Sequence, residues 1–174
     1  MRPKIYLAGA IRDGIDEDII WRERVIDALC PEKGRKLADI FNPLGGKTYS
    51  RGEKMWDLAG VMPVASVIVP HDFYHVDNSD IVLFNFRALS EKYPNIGTLV
   101  EFGRATKSRC LIYSIVDSAY RGHDSAGIFS DKLHPFIKQN SAIVFADVDM
   151  AIAFLLRYLP VLSGDSPRFG GVTD

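Results

Sequence analysis

The run Ile81-Val-Leu-Phe-Asn-Phe86 constrains the fold of this chain more than any other segment, because it is almost wholly apolar and has polar neighbours on both sides. An apolar run without polar alternation describes a strand buried on both faces, and such strands belong to parallel sheets covered by helices on each side. The surrounding pattern agrees. Ile5-Tyr-Leu-Ala-Gly9 reads as an opening strand running into a glycine turn, and the polar loop 11–18 ends in acidic residues suited to a helix start. Ile19, Trp21, Val25, Ile26 and Leu29 mark an amphipathic helix closed by Pro31 and Gly34. Leu37–Phe41 reads as a second strand, Cys110–Val116 as a fourth, Ser141–Phe145 as a fifth, and Val148–Leu159 as a closing helix. Residues 61–70 carry prolines towards both ends and read as a helix or an irregular segment; His71–Asn78 reads as one or two helical turns. Alternating strands and helices predict a single flavodoxin-like or Rossmann-like α/β domain over residues 1–160, with a five-stranded parallel sheet and helices on both faces. The tail 161–174 reads as a loose end or an arm for a neighbouring subunit.

With 174 residues, 47% hydrophobic and 25% charged, the chain suits one well-cored domain, and a net charge of -1 gives no long-range pull on nucleic acid polymers or anionic membranes. No segment approaches the about 18 continuous apolar residues of a membrane span. Cys30 and Cys110 lack metal-ligand spacing and read as buried thiols of a reducing compartment, so a cytoplasmic protein is expected. Gly9-Ala-Ile-Arg-Asp-Gly14 is too sparse for a dinucleotide or P-loop motif, which argues against a dehydrogenase or a nucleoside triphosphatase, and no cofactor is expected. A Gly-x-Ser-x-Gly elbow is also missing.

Chemistry-bearing residues cluster where strand ends should meet: Tyr6, Gly9 and Arg12 after the first strand, His71-Asp72 before the third, Asn95 and Glu101 after it. Helical spacing of Leu99, Val100, Phe102 and Ala105 starts a helix at Thr98 and sets Glu101 in or near its first turn. There it is either a partner of the helix dipole or a carboxylate facing the crevice beyond the strand ends. Taken singly, Tyr6 reads as a core aromatic, Arg12 as a solvated loop charge and Asp72 as a helix cap; jointly they suggest a nucleophile, an acid and a phosphate or sugar clamp. Gly9 and Gly97 serve tight turns or let a ligand approach backbone N–H groups. His71 and His75, four apart, can share a helix face, but no zinc-peptidase glutamate or distal third ligand accompanies them and no metal is expected. Trp21 reads as core. Trp56 lies in the polar stretch 45–57, a candidate lid, and is the better residue to cover a planar ligand.

Three motifs resemble the nucleoside 2-deoxyribosyltransferase family and its relatives that hydrolyse nucleoside 5'-monophosphates. They are Ile5-Tyr-Leu-Ala-Gly9 with Trp21-Arg22 and Phe41-Asn-Pro43, then Asp72 with Asp80 opening the third strand, then Gly97-Thr98-x-x-Glu101-x-Gly103-x-Ala105. The resemblance implies Glu101 as nucleophile, Tyr6 orienting it, Asp72 engaging the nucleobase, Gly97 and Thr98 in the substrate site, and Asn140 reaching a neighbour's site in a homo-oligomer. Where many of the transferases carry an aspartate and monophosphate hydrolases often carry a serine, this chain has Asn95, which can hold a base but cannot protonate it. The implied activity is cleavage of a (deoxy)nucleoside N-glycosidic bond through a glycosyl-glutamate, with transfer of the sugar to another nucleobase. The alternatives are an N-glycosidase of 5'-monophosphates, with Arg12 or a loop serine on the phosphate, and a nucleotide-binding module without turnover.

Overall fold

A computed structural model describes residues 2–12, 16–44, 65–87, 95–116 and 133–164. Five parallel strands form one sheet: β1 (Lys4–Gly9), β2 (Asp39–Phe41), β3 (Ile81–Asn85), β4 (Leu111–Ile115) and β5 (Ile143–Phe145), in the order β2-β1-β3-β4-β5. Register is continuous across the centre, with Tyr6 opposite Phe41 on one side and Val82 on the other, and Gly9 opposite Asn85. This is the flavodoxin-like order, whose direction of winding reverses between β1 and β3.

The helices are α1 (Glu17–Leu29), α2 (Ala65–Asp77), α3 (Ile96–Ala105), α4 (Pro135–Asn140) and α5 (Val148–Leu162). Side chains of a strand alternate between faces, and the core accordingly divides in two. Ile5, Leu7, Ile81 and Leu83 pack with Trp21, Val25 and Leu29 of α1 and Ala151, Leu155 and Leu159 of α5. Tyr6, Ala8, Val82 and Phe84 pack with Val76 of α2, Phe102 and Ala105 of α3 and Ile137 of α4. The central strand β3 is buried along its whole length, as its unbroken apolar run requires.

Three sequence expectations are corrected. The prolines do not divide the helices where expected: α2 runs through exposed Pro70 as one helix, and α5 continues past Pro160 to Leu162. Beyond Pro160 the last turn is closed by Ser163, whose amide and hydroxyl both donate to the Leu159 carbonyl at 3.0 Å. The short helix α4 gave no periodic signal, since its six residues bury only Ile137. Cys30 and Cys110 are free and half-buried rather than buried; burial nonetheless raises both thiols above their ordinary range. The proposed lid, residues 45–57, and the end of the tail lie outside the described residues, of whose helices none is long and apolar enough to cross a membrane.

Leu155 is fully buried between α1, α5 and the sheet. Leu155→Ala is expected to lower unfolding free energy by about 2–5 kcal/mol, measured by denaturant titration of the purified protein.

Candidate active site

The alternation of β1 sends Tyr6 towards α2 and α3, and that single fact assembles the site. Tyr6 is fully buried, and its hydroxyl donates to Glu101 Oε1 at 2.6 Å, across 95 residues of sequence. Burial, then the charges of Glu101 and Asp72, push the phenol far above its ordinary pKa, so it stays a proton donor at any working pH. Because both carboxylates act on the same hydroxyl, Tyr6, Glu101 and Asp72 form one electrostatic unit near the β1/β3 switch point, where open α/β sheets hold ligands.

Glu101 does not sit in a first helical turn. Asn95 begins α3 two residues earlier than the apolar spacing suggests: its side-chain oxygen accepts from Thr98 N while its amide donates to the Thr98 hydroxyl. Glu101 becomes the sixth residue of α3, and no acidic residue occupies the first turn. The dipole reading therefore weakens, since that effect fades beyond the first turn, and the Tyr6 hydroxyl replaces it as a support of the carboxylate. Thr98 is buried beneath the cap. Among the described residues, a Cβ at Gly97 would meet nothing closer than Asn95 Oδ1 at 3.8 Å, so their packing does not demand glycine there. Gly9 has a packing reason of its own: a Cβ would lie 3.1 Å from Trp21 Cζ2 and 3.3 Å from Asn85 Cβ and O, within the strand rather than in a turn.

Asp72 lies inside α2, not at its cap, with a side chain 15% exposed, and it accepts from His71 Nδ1 at 3.1 Å. The expected shared face of the two histidines is present: His71 Nε2 and His75 Nε2 approach to 3.2 Å. No group of three metal-ligating side chains gathers among the described residues. Arg12 is not merely a solvated charge. It clasps Asp18 through Nε and a terminal nitrogen, both at 2.8 Å, while its backbone N–H donates to the same carboxylate at 3.0 Å, tying the loop after β1 to the start of α1. Asn140 closes α4 at the opposite, amino-terminal end of the strands, with its amide donating to the Phe136 carbonyl at 2.8 Å. It does not join Glu101 within this chain. Trp56 lies outside the described residues.

Sequence reasoning quoted Arg22 only as part of a motif and missed its position. It is fully buried; one terminal nitrogen donates to Gly9 O at 2.9 Å, the other to Ala10 O at 3.0 Å and to Asp18 O, and the guanidinium lies 4.7 Å from the Trp21 ring centre. Burial pushes the guanidinium down to about 10, opposed by Tyr6, Asp18, Glu101 and Asp72. A visible signal existed: Arg22 falls three residues before Val25 and seven before Leu29, on the buried stripe of α1.

The fold and this cluster define a flavodoxin-like α/β protein with two carboxylates around a buried phenol at the strand-order reversal. No protein-family profile matches the chain, and no curated protein matches it in sequence. Solved structures do match. The 2-desoxiribosyltransferase from Leishmania mexicana is 14% identical with a TM-score of 0.58, over 90% of this chain and 98% of that one. The CMP N-glycosidase of Clostridium botulinum is 13% identical with a TM-score of 0.53, over 89% and 98%. A conserved protein from Enterococcus faecalis V583 is 15% identical with a TM-score of 0.63, over 91% and 99%. The chain shares the fold of these proteins along nearly its whole length.

A raised folded-state pKa at Tyr6 has a signed consequence. Below the unfolded value of 10.0 the buried phenol costs no proton balance; above it the unfolded chain loses a proton that the folded chain retains, so stability falls as pH rises. Tyr6→Phe is expected to shallow the loss of stability above pH 10, read from thermal melts across alkaline pH.

Proposed function

We propose that the chain is a single-domain enzyme that cleaves the N-glycosidic bond of a (deoxy)nucleoside and passes the sugar to another nucleobase. The observation that carries this reading is the 2.6 Å hydrogen bond from a fully buried Tyr6 to Glu101. Breaking the bond at C1' leaves the electron pair on the departing base and positive character on the sugar, which a carboxylate below C1' stabilises and captures as an ester. One oxygen of Glu101 held by Tyr6 fixes the direction of attack of the other. An incoming base then attacks C1', releases Glu101 and gives net retention. Asp72 addresses the base, and Gly9, Gly97 and Thr98 border the sugar. The 2-desoxiribosyltransferase of the same fold supports the substrate class. A homo-oligomer in which Asn140 serves a neighbour's site is part of this reading.

The second reading is hydrolysis of a (deoxy)nucleoside 5'-monophosphate, supported by the CMP N-glycosidase of the same fold. Arg12 is its candidate phosphate ligand and would exchange Asp18, which it now clasps, for the phosphate.

Chromatography of deoxynucleosides and their 5'-monophosphates, with and without free adenine, tests both. A new deoxynucleoside that appears only with adenine supports transfer; free base released faster from monophosphates, irrespective of adenine, supports hydrolysis. Glu101→Gln is expected to lower either activity by at least about 1,000-fold. Tyr6→Phe removes one hydrogen bond to a charged group, about 1.5–3 kcal/mol, and is expected to lower kcat roughly 10- to 100-fold. Ligand-induced stabilisation with no base release, unchanged in Glu101→Ala, would replace both readings with a binding module.

A further inference from the structure

His71, Asp72 and His75 form a connected chain that the proposed reaction does not by itself require. Asp72 Oδ1 faces His71 Nδ1 at 3.1 Å, and His71 Nε2 faces His75 Nε2 at 3.2 Å. The second nitrogen of His75, Nδ1, is shielded from solvent and has no hydrogen-bond partner among the described residues. The His75 ring is fixed between aromatic neighbours, 4.4 Å from Phe41 and stacked 6.3 Å from Tyr6.

These contacts admit one proton arrangement without conflict. Of two facing nitrogens, one must donate and the other accept. If His71 donated from Nε2, its bare Nδ1 would face the lone pairs of Asp72, and His75 would carry its proton on the buried, unpartnered Nδ1. Placing the protons on His75 Nε2 and His71 Nδ1 removes both conflicts and leaves only a lone pair at the buried nitrogen, which is tolerated better than an orphaned N–H. Protonating either ring restores a conflict: an imidazolium at His71 needs His75 to accept at Nε2 and move its proton to Nδ1, and an imidazolium at His75 needs an N–H at Nδ1. Burial, then His71, push His75 below its ordinary value, in the same direction.

We propose that His75 fixes the tautomer of His71 and that His71 in turn holds Asp72 as a hydrogen-bond acceptor. Both histidines are positioning residues acting through Asp72. The inference rests on the functional reading above for its substrate consequence: a carboxylate held by an N–H donor takes a hydrogen from the base instead of supplying one, so the site selects bases that present an amino or ring N–H group on that edge. Among the described residues, the ionisable groups around this chain are Tyr6 from β1, Glu101 of α3 and Arg22 of α1 acting on the same phenol, and Tyr74 on α2 itself. Asp77, also on α2, is paired with Arg104 of α3.

Two measurements test this, and the first needs no activity. Long-range proton–nitrogen NMR of the labelled protein at pH 7 should show a proton on His71 Nδ1 and on His75 Nε2. A proton on His71 Nε2 or on His75 Nδ1 overturns the inference. The second is the kinetics of base release. His75→Phe, which keeps an aromatic ring beside Phe41 and Tyr6 but frees His71 Nε2 for solvent, should lower kcat/KM. His71→Ala should lower it as well, and His71→Asn, which returns an N–H near the Nδ1 position, should recover most of it. An unchanged kcat/KM in His75→Phe overturns the proposal. A wild-type protein that releases no base under any condition sinks the functional reading, while the NMR experiment still decides the tautomers.

Discussion

The buried guanidinium of Arg22 is the constraint around which the active end of this sheet is organised. A cation taken wholly out of water is tolerated only when its donors are satisfied and compensating charge lies near. Here the donors are satisfied by carbonyls at Gly9 and Ala10, where the chain leaves β1, and at Asp18 in the first turn of α1. The side chain therefore ties the end of the strand to the start of its following helix, and Arg12 repeats that tie from the outside through Asp18. The compensating charge comes from Asp18 on α1 itself and from the other face of the sheet. Glu101 and Asp72 both act on Arg22 as they act on Tyr6, so one buried cation and one buried phenol share two carboxylates. Removing the cation would take a compensating charge from those carboxylates and would release the backbone at the end of β1 that its donors hold.

How much of this was legible in the sequence follows from which signals are local. The central strand β3 was readable because burial on both faces leaves a continuous apolar run, and all five strands lie within two residues of where Ile5–Gly9, Leu37–Phe41, Ile81–Phe86, Cys110–Val116 and Ser141–Phe145 put them. The start of α3 was misplaced because Ile96 and Gly97 break the apolar spacing, while the cap that sets the boundary is made by the polar side chain of Asn95. The prolines misled for a related reason: a local rule about a missing N–H was applied where neighbouring turns remain hydrogen-bonded and packed. Arg22 was hidden because a charge on a helix usually reads as its solvated face, and only tertiary structure shows the carbonyls that receive it. The Tyr6–Glu101 contact spans 95 residues and could be reached from sequence only through the motifs that suggested it.

The two glycines show how the same residue type carries different information. Gly9 is required by the fold, since any side chain there would press into Trp21 and the neighbouring β3 strand. Gly97 is not. An exposed glycine in a first helical turn gives up stability without a packing return among the described residues, and its place one turn before Glu101 suits the ligand approach of the proposed reaction.

The described rim is also uneven in what it offers a ligand. The groups that would most readily give a proton or a hydrogen bond are already engaged: the Asn95 amide in capping α3, the Arg12 guanidinium on Asp18, the Tyr6 hydroxyl on Glu101. The carboxylates of Glu101 and Asp72 are acceptors only, Glu101 receiving the Tyr6 hydroxyl and Asp72 the His71 ring N–H. Such a rim favours partners that bring positive character or N–H groups of their own. In the proposed reaction, a sugar acquiring charge at C1' and a base presenting an amino or ring N–H would answer those two demands, one at each carboxylate. The amide at residue 95 fits that reading: with no proton donor there, the chemistry would lean on charge stabilisation beneath the sugar rather than on acid catalysis at the base.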